Sequence, residues 1–128
     1  MSTDRRTPLA RARGLGSAHA GVGHWWRQRL TAAALVPLGL WLAVALVRLS
    51  GAPHATVQAW LAAPWNAIAM LLLLAVAGLH LALGLQVIVE DYVHRKAAAV
   101  ALRGLVTAGC LGLLAVGGYA VLYVAFGR

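Results

Sequence analysis

An all-α membrane protein with three transmembrane helices is the fold class this sequence predicts, and three observations predict it. Of the 128 residues, 62% are hydrophobic and only 11% are charged, against about 25% charged in a typical soluble domain. A soluble chain of this length could not hide so much apolar surface, so lipid must cover it. Three separate apolar runs, at about 30–49, 65–89 and 104–126, each reach the roughly 20 residues needed to cross about 30 Å of hydrocarbon. The basic residues gather beside those runs, as topology signals do. Helices satisfy their own backbone groups, which is what lipid demands.

Residues 1–28 predict a basic cytoplasmic segment, because Arg5, Arg6, Arg11, Arg13 and Arg27 all fall within it and Arg29 follows at once. A mitochondrial transit peptide has a similar Arg-rich, acid-poor composition, but a cytoplasmic tail obeying the positive-inside rule is the simpler reading. Residues 29–128 predict a single three-helix transmembrane domain. Its first helix contains Pro37, a position for a kink, and ends near Arg48, whose long stem reaches back to the interface. The loop 50–64 carries no Lys or Arg and is punctuated by Pro53 and Pro64. The second helix starts at Trp65 and holds no charge as far as Val89. Arg95 and Lys96 lie in the second loop, and Arg103 precedes the third helix. The N-terminus and second loop are therefore predicted to be cytoplasmic, with the first loop and the C-terminus on the periplasmic side. Trp25, Trp26, Trp41, Trp60 and Trp65 mostly lie near the predicted ends, as interfacial anchors do. Gly109, Gly112, Gly117 and Gly118 thin the third helix, and Ala108 with Gly112 makes a small-xxx-small pair that favours close packing.

Two function classes are excluded at this level. The net charge is +8, yet the cations sit at helix ends and no polar fold exists to present a nucleic-acid surface. Cys110 is the single cysteine, so this chain alone builds neither a disulfide nor a thiolate metal site.

His80 is the most informative residue. It stands ten residues before Glu90, so roughly 15 Å inside the helix end at 1.5 Å per residue. Ionisable groups at such depth are rare and usually face a partner or a cofactor; the alternative is a neutral imidazole bonded to a neighbouring helix. Gly84 follows one turn later, with room for a flat ligand beside the ring. Asp91, eleven positions on, returns to within about 20° of His80 at 100° per residue. A haem axial ligand fits this stripe, since a neutral imidazole nitrogen binds iron. His19 and His24 precede the first apolar run, and His54 and His94 lie in the loops. A second histidine ligand would therefore come from another polypeptide. Arg29, at the inner mouth of the first helix, is placed to pair with a haem propionate. Glu90 and Asp91 oppose the dipole of the helix they close. Either they form a solvated end neutralised by Arg95 and Lys96, or they belong to a quinone headgroup site. In the latter, Tyr92 donates to a carbonyl and Asp91 orients an arginine or helps deliver protons.

The runs Gly16-Ser17-Ala18-His19, His24-Trp25-Trp26-Arg27-Gln28-Arg29-Leu30-Thr31-Ala32 and Gln86-Val87-Ile88-Val89-Glu90-Asp91-Tyr92-Val93-His94, with His80 between them, resemble the small hydrophobic anchor subunit of succinate dehydrogenase, respiratory complex II. The resemblance covers nearly the whole chain, and the His-x10-Asp-Tyr spacing is its most specific element. It implies that His80 ligates the iron of a haem b shared with a larger, cytochrome b-type anchor subunit. It also implies that Arg29 lies near the propionates and that Tyr92 and Asp91 meet ubiquinone. The remaining implied partners are a flavoprotein subunit and an iron–sulfur subunit, held on the cytoplasmic face of a bacterial inner membrane. The tail and the His24-Trp25-Trp26 run look like the alphaproteobacterial form. Two other readings stand beside this one: a non-redox scaffold or transporter subunit in which His80 only packs, and an anchor of another cytochrome b oxidoreductase.

Overall fold

The computed structural model describes residues 7–12 and 19–127. Readings placed on Arg5, Arg6, Arg13 and residues 16–18 lie outside them, as do those on the side chains of Arg11 and His19. Among the described residues five helices follow in order: α1 (Pro8–Ala12), α2 (His19–Leu49), α3 (His54–Ala62), α4 (Pro64–Tyr92) and α5 (Lys96–Phe126). No strand occurs among the described residues. α2, α4 and α5 are each long and apolar enough to cross a membrane, so the three-helix expectation holds and the protein is an integral membrane protein.

Each long helix starts or ends beyond the apolar run that predicts it. α2 has 31 residues and therefore spans about 46 Å at 1.5 Å per residue, well beyond the roughly 30 Å of hydrocarbon. Hydropathy marks only the lipid-embedded part of a helix, whereas backbone hydrogen bonding continues through the polar interface. His24, Arg27 and Arg29 consequently lie inside α2, not ahead of it. The same holds for Lys96 and Arg103, which are in α5. α2 passes through Pro37 as one helix.

The loop expected at 50–64 contains α3. Gly51 turns the chain after α2 with φ of 77°, a left-handed conformation that glycine takes without a steric penalty. Ala63 is extended, with ψ of 129°, as the residue before a proline is constrained to be, and Pro64 opens α4 at a position that needs no N–H. Between these breaks, Val57, Trp60 and Leu61 repeat at helical spacing. Trp60 stacks on Trp41 of α2 at 5.4 Å between ring centroids, and its carbonyl accepts a 2.7 Å bond from Asn66 Nδ2. These two tryptophans thus pin α3 to the long helices, while Trp25, Trp26 and Trp65 are exposed.

α4 is the central helix, packed against both α2 and α5. On α5 the close contact falls at Gly117, where an added Cβ would stand 3.2 Å from Leu74 Cδ1, with Gly118 facing Leu71. Gly109 and Gly112 meet nothing within 4 Å, and Ala108 is exposed. The small-xxx-small pair therefore faces out of this chain, and the glycines that pack are those one to two turns further on. On α2, the shielded positions His24, Gln28, Thr31, Leu35, Leu38 and Leu42 alternate by four and three, the spacing of one helix face. That face meets α4.

Candidate functional site

The polar part of the α2 face lies opposite His80. Thr31 is buried at 8% exposure, the one buried polar residue among those described. Its Oγ1 lies 2.9 Å from His80 Nδ1, 2.8 Å from the Arg27 carbonyl and 3.0 Å from the Gln28 carbonyl. A threonine within a helix ordinarily donates to a carbonyl three or four residues back. His80 is half-buried. Its Nε2 makes no hydrogen bond within the described residues. The two readings of His80 left open by the sequence are thus compatible: a neighbouring helix takes one ring nitrogen and leaves the other.

One turn beyond His80, the space expected beside Gly84 is bordered by Gln28, whose Nε2 would lie 3.6 Å from a Cβ at that position. This is ordinary van der Waals contact, so the Gln28 amide already packs against the backbone that the glycine leaves open. Gln28 Oε1 and His24 Nε2 are enclosed and have no hydrogen-bond partner among the described residues. Both border a cleft of about 440 Å³ that also touches Arg27, Val87 and Glu90. A polar seam therefore runs from His80 through Thr31, Gln28 and His24 to the end of the bundle where α4 finishes.

Asp91 and Tyr92 are the last two residues of α4. Both are exposed, Tyr92 at 78%, and neither has a hydrogen bond or ion pair within the described residues. They are eleven and twelve residues beyond His80, so roughly 16–18 Å along the axis. One of the two readings of the acid pair has it neutralised by Arg95 and Lys96. Among the described residues the ion pair at this helix end is Glu90 to Arg103, at 3.3 Å. α5 begins immediately at Lys96 and runs back along α4, which carries Arg103 alongside the helix end.

Arg29 is not brought to His80. It follows Thr31's helix at 200° away around the axis, at 100° per residue, and its guanidinium sits 5.3 Å over the Trp25 ring, a cation–π arrangement. Arg27, by contrast, borders the cleft and bonds through Nε to the Gly23 carbonyl at 3.2 Å. Sequence reasoning assigned no role to Thr31, Gln28 or His24. Their spacing, with a hydroxyl entering an apolar run in register with two polar residues, was the available signal.

Comparison with known proteins gives the family. The succinate dehydrogenase/fumarate reductase transmembrane subunit family matches residues 3–124, a range that includes every candidate site residue. The chain belongs to this family. A relative from Rickettsia bellii is 34% identical over 93 residues, 73% of this chain and 74% of its own length. One from Paracoccus denitrificans is 32% identical over 97 residues, 73% of this chain and 75% of its own. One from Rickettsia conorii is 30% identical over 94 residues, with 73% and 75% covered. All three are called succinate dehydrogenase hydrophobic membrane anchor subunits, and their sources are alphaproteobacterial, like the form the sequence resembles. No solved structure matches the chain.

Proposed function

We propose that this chain is the small membrane-anchor subunit of a succinate:ubiquinone oxidoreductase in a bacterial inner membrane. In this reading His80 is one axial ligand of a haem b shared with a larger, cytochrome b-type anchor subunit. Tyr92 and Asp91 contribute to the ubiquinone-reduction site, and the chain holds the flavoprotein and iron–sulfur subunits to the membrane. The observation that carries the reading is His80: a half-buried imidazole in an apolar helix, anchored through Nδ1, with no hydrogen bond to Nε2 among the described residues.

The donor set fits the group. No cluster of three metal-ligating side chains exists among the described residues, and a haem needs only one nitrogen from each side. When bound, haem b supplies a one-electron store between the helices. The rest is work for this chain's own residues. α4 sets His80 inside the bilayer and ends at Tyr92, so one helix connects a buried ligand to a site at the membrane surface. Quinone reduction takes up two electrons and two protons. The Tyr92 hydroxyl donates a hydrogen bond to one quinone carbonyl, and Asp91, exposed to water, is positioned to relay protons toward it. The basic residues near the start of α2 and between α4 and α5 support a cytoplasmic placement of this end, where the two extrinsic subunits would dock. Arg29 enters on the side of α2 that α4 leaves free, where a propionate at the interface with the larger anchor subunit would meet its guanidinium.

A second reading shares one observation. If His80 serves only to join α4 to α2, the bond to Thr31 is its whole role, and the purified complex carries neither haem absorbance nor flavoprotein. The deciding experiment is His80→Leu in the co-expressed complex. The Thr31 hydroxyl would still donate to its own helix, so no polar group is orphaned and the loss is about 1 kcal/mol for one neutral hydrogen bond. Assembly with the flavoprotein should therefore persist while the low-spin bis-histidine spectrum disappears. An unchanged spectrum removes His80 from the proposal.

A further inference from the structure

We infer that Thr31 is a positioning residue for His80, selecting the tautomer in which Nε2 faces the iron and fixing the plane of the ring. This rests on the haem reading above and adds to it a residue on a different helix.

The argument is a count of protons. Thr31 Oγ1 has three neighbours within 3.0 Å: the Arg27 carbonyl, the Gln28 carbonyl and His80 Nδ1. Carbonyl oxygens only accept, and the hydroxyl has one proton to give. If that proton went to Nδ1, Oγ1 would face two carbonyl oxygens at 2.8 Å and 3.0 Å with nothing between them. Those contacts are close-range repulsions in a buried place. If the proton goes to the carbonyls of its own helix, every neighbour is satisfied, and Nδ1–H must donate to Oγ1. Thr31 is 8% exposed, so water has little access with which to substitute for either bond. The proton of the neutral ring is thereby placed on Nδ1, and the lone pair on Nε2.

Two consequences follow. The hydroxyl is held by its own helix and by a β-branched side chain with few rotamers, so it acts as a fixed post that stops rotation of the imidazole. Accepting from Nδ1–H also makes Nε2 a better donor to the metal, which favours the ferric over the ferrous state and holds the haem potential down. Carbonyl polarisation of the same hydroxyl adds to this effect.

The test uses the assembled complex, with assembly checked by co-purifying subunits and by succinate-dependent dye reduction. Thr31→Val keeps the shape and removes the acceptor. It should raise the haem midpoint potential and speed haem transfer to an apo-globin trap by roughly 10–100-fold, the usual effect of losing a partner of a metal-bound histidine. Thr31→Ser, which keeps the hydroxyl, should restore both. Thr31→Ala provides a second variant without the hydroxyl should the valine disturb packing. If both hydroxyl-free variants match the wild type in potential and haem retention, Thr31 has no such role, even where His80→Leu abolishes the bis-histidine spectrum. If His80→Leu leaves that spectrum intact, the haem reading itself falls, and this inference with it. A structure of the assembled complex with Thr31 Oγ1 beyond hydrogen-bond reach of Nδ1 would overturn the inference without any variant.

Discussion

Replacing Tyr92 by phenylalanine removes one hydroxyl and nothing else, and the structure says what that hydroxyl does in the free chain. Tyr92 is 78% exposed and has no hydrogen bond within the described residues. It is the last residue of α4, so the substitution breaks no contact and should leave folding and assembly unchanged. If the hydroxyl donates to a quinone carbonyl, the loss is that of one neutral hydrogen bond, about 0.5–1.5 kcal/mol. At 1.36 kcal/mol per decade this is roughly a 2- to 12-fold fall in kcat/KM for ubiquinone. The assay compares two acceptors on the same purified complex. Succinate oxidation by an artificial dye that takes electrons from the extrinsic subunits should stay at the wild-type rate, while ubiquinone reduction falls. A wild-type kcat/KM for ubiquinone, or an equal loss with both acceptors, would refute the assignment of Tyr92 to the quinone site.

Two structural predictions accompany it. Gly117→Ala should be nearly neutral, because Leu74 needs to give only a few tenths of an ångström from 3.2 Å. Gly117→Leu should overpack the α4–α5 contact by about 1–3 kcal/mol and lower the temperature at which the purified complex loses its anchor. A complex of unchanged stability would show that the two helices are not in close contact there. Glu90→Gln should change little despite the 3.3 Å ion pair, since the Glu90 and Arg103 side chains are 50% and 47% exposed and such pairs contribute about 0–1 kcal/mol. A large drop in thermal stability would mean that the pair is buried in the assembled complex.

The residues of the candidate site were legible to different degrees. His80 stood out because an ionisable side chain is conspicuous in an apolar run, and Tyr92 and Asp91 because they close the same helix. Thr31, His24 and Gln28 are inconspicuous in the sequence for the opposite reason. Hydropathy places His24 and Gln28 ahead of the first transmembrane helix, since it does not see a helix continuing through the interface. Thr31 is a small residue whose hydroxyl can always bond to its own backbone, so its type gives no sign of a partner on another helix. Arg29 illustrates the converse. Its position at the membrane edge was readable, but the direction of its side chain was not, and the structure turns it toward Trp25.

By itself the sequence determined the class of solvent, the number of crossings and the helix that holds the candidate ligand His80. These depend on composition and run length, which act locally and add up along the chain. Only the tertiary structure decided which faces meet. It put Thr31 against Nδ1 of His80, Gln28 against Gly84, Leu74 against Gly117 and Arg103 beside Glu90, and it left Gly112 and Ala108 facing outward. In lipid, apolar side chains gain little by leaving one apolar surrounding for another, so hydropathy cannot choose among the faces of a uniformly apolar helix. That choice falls to shape and to the few polar groups that need partners, and both exist only once the helices are packed.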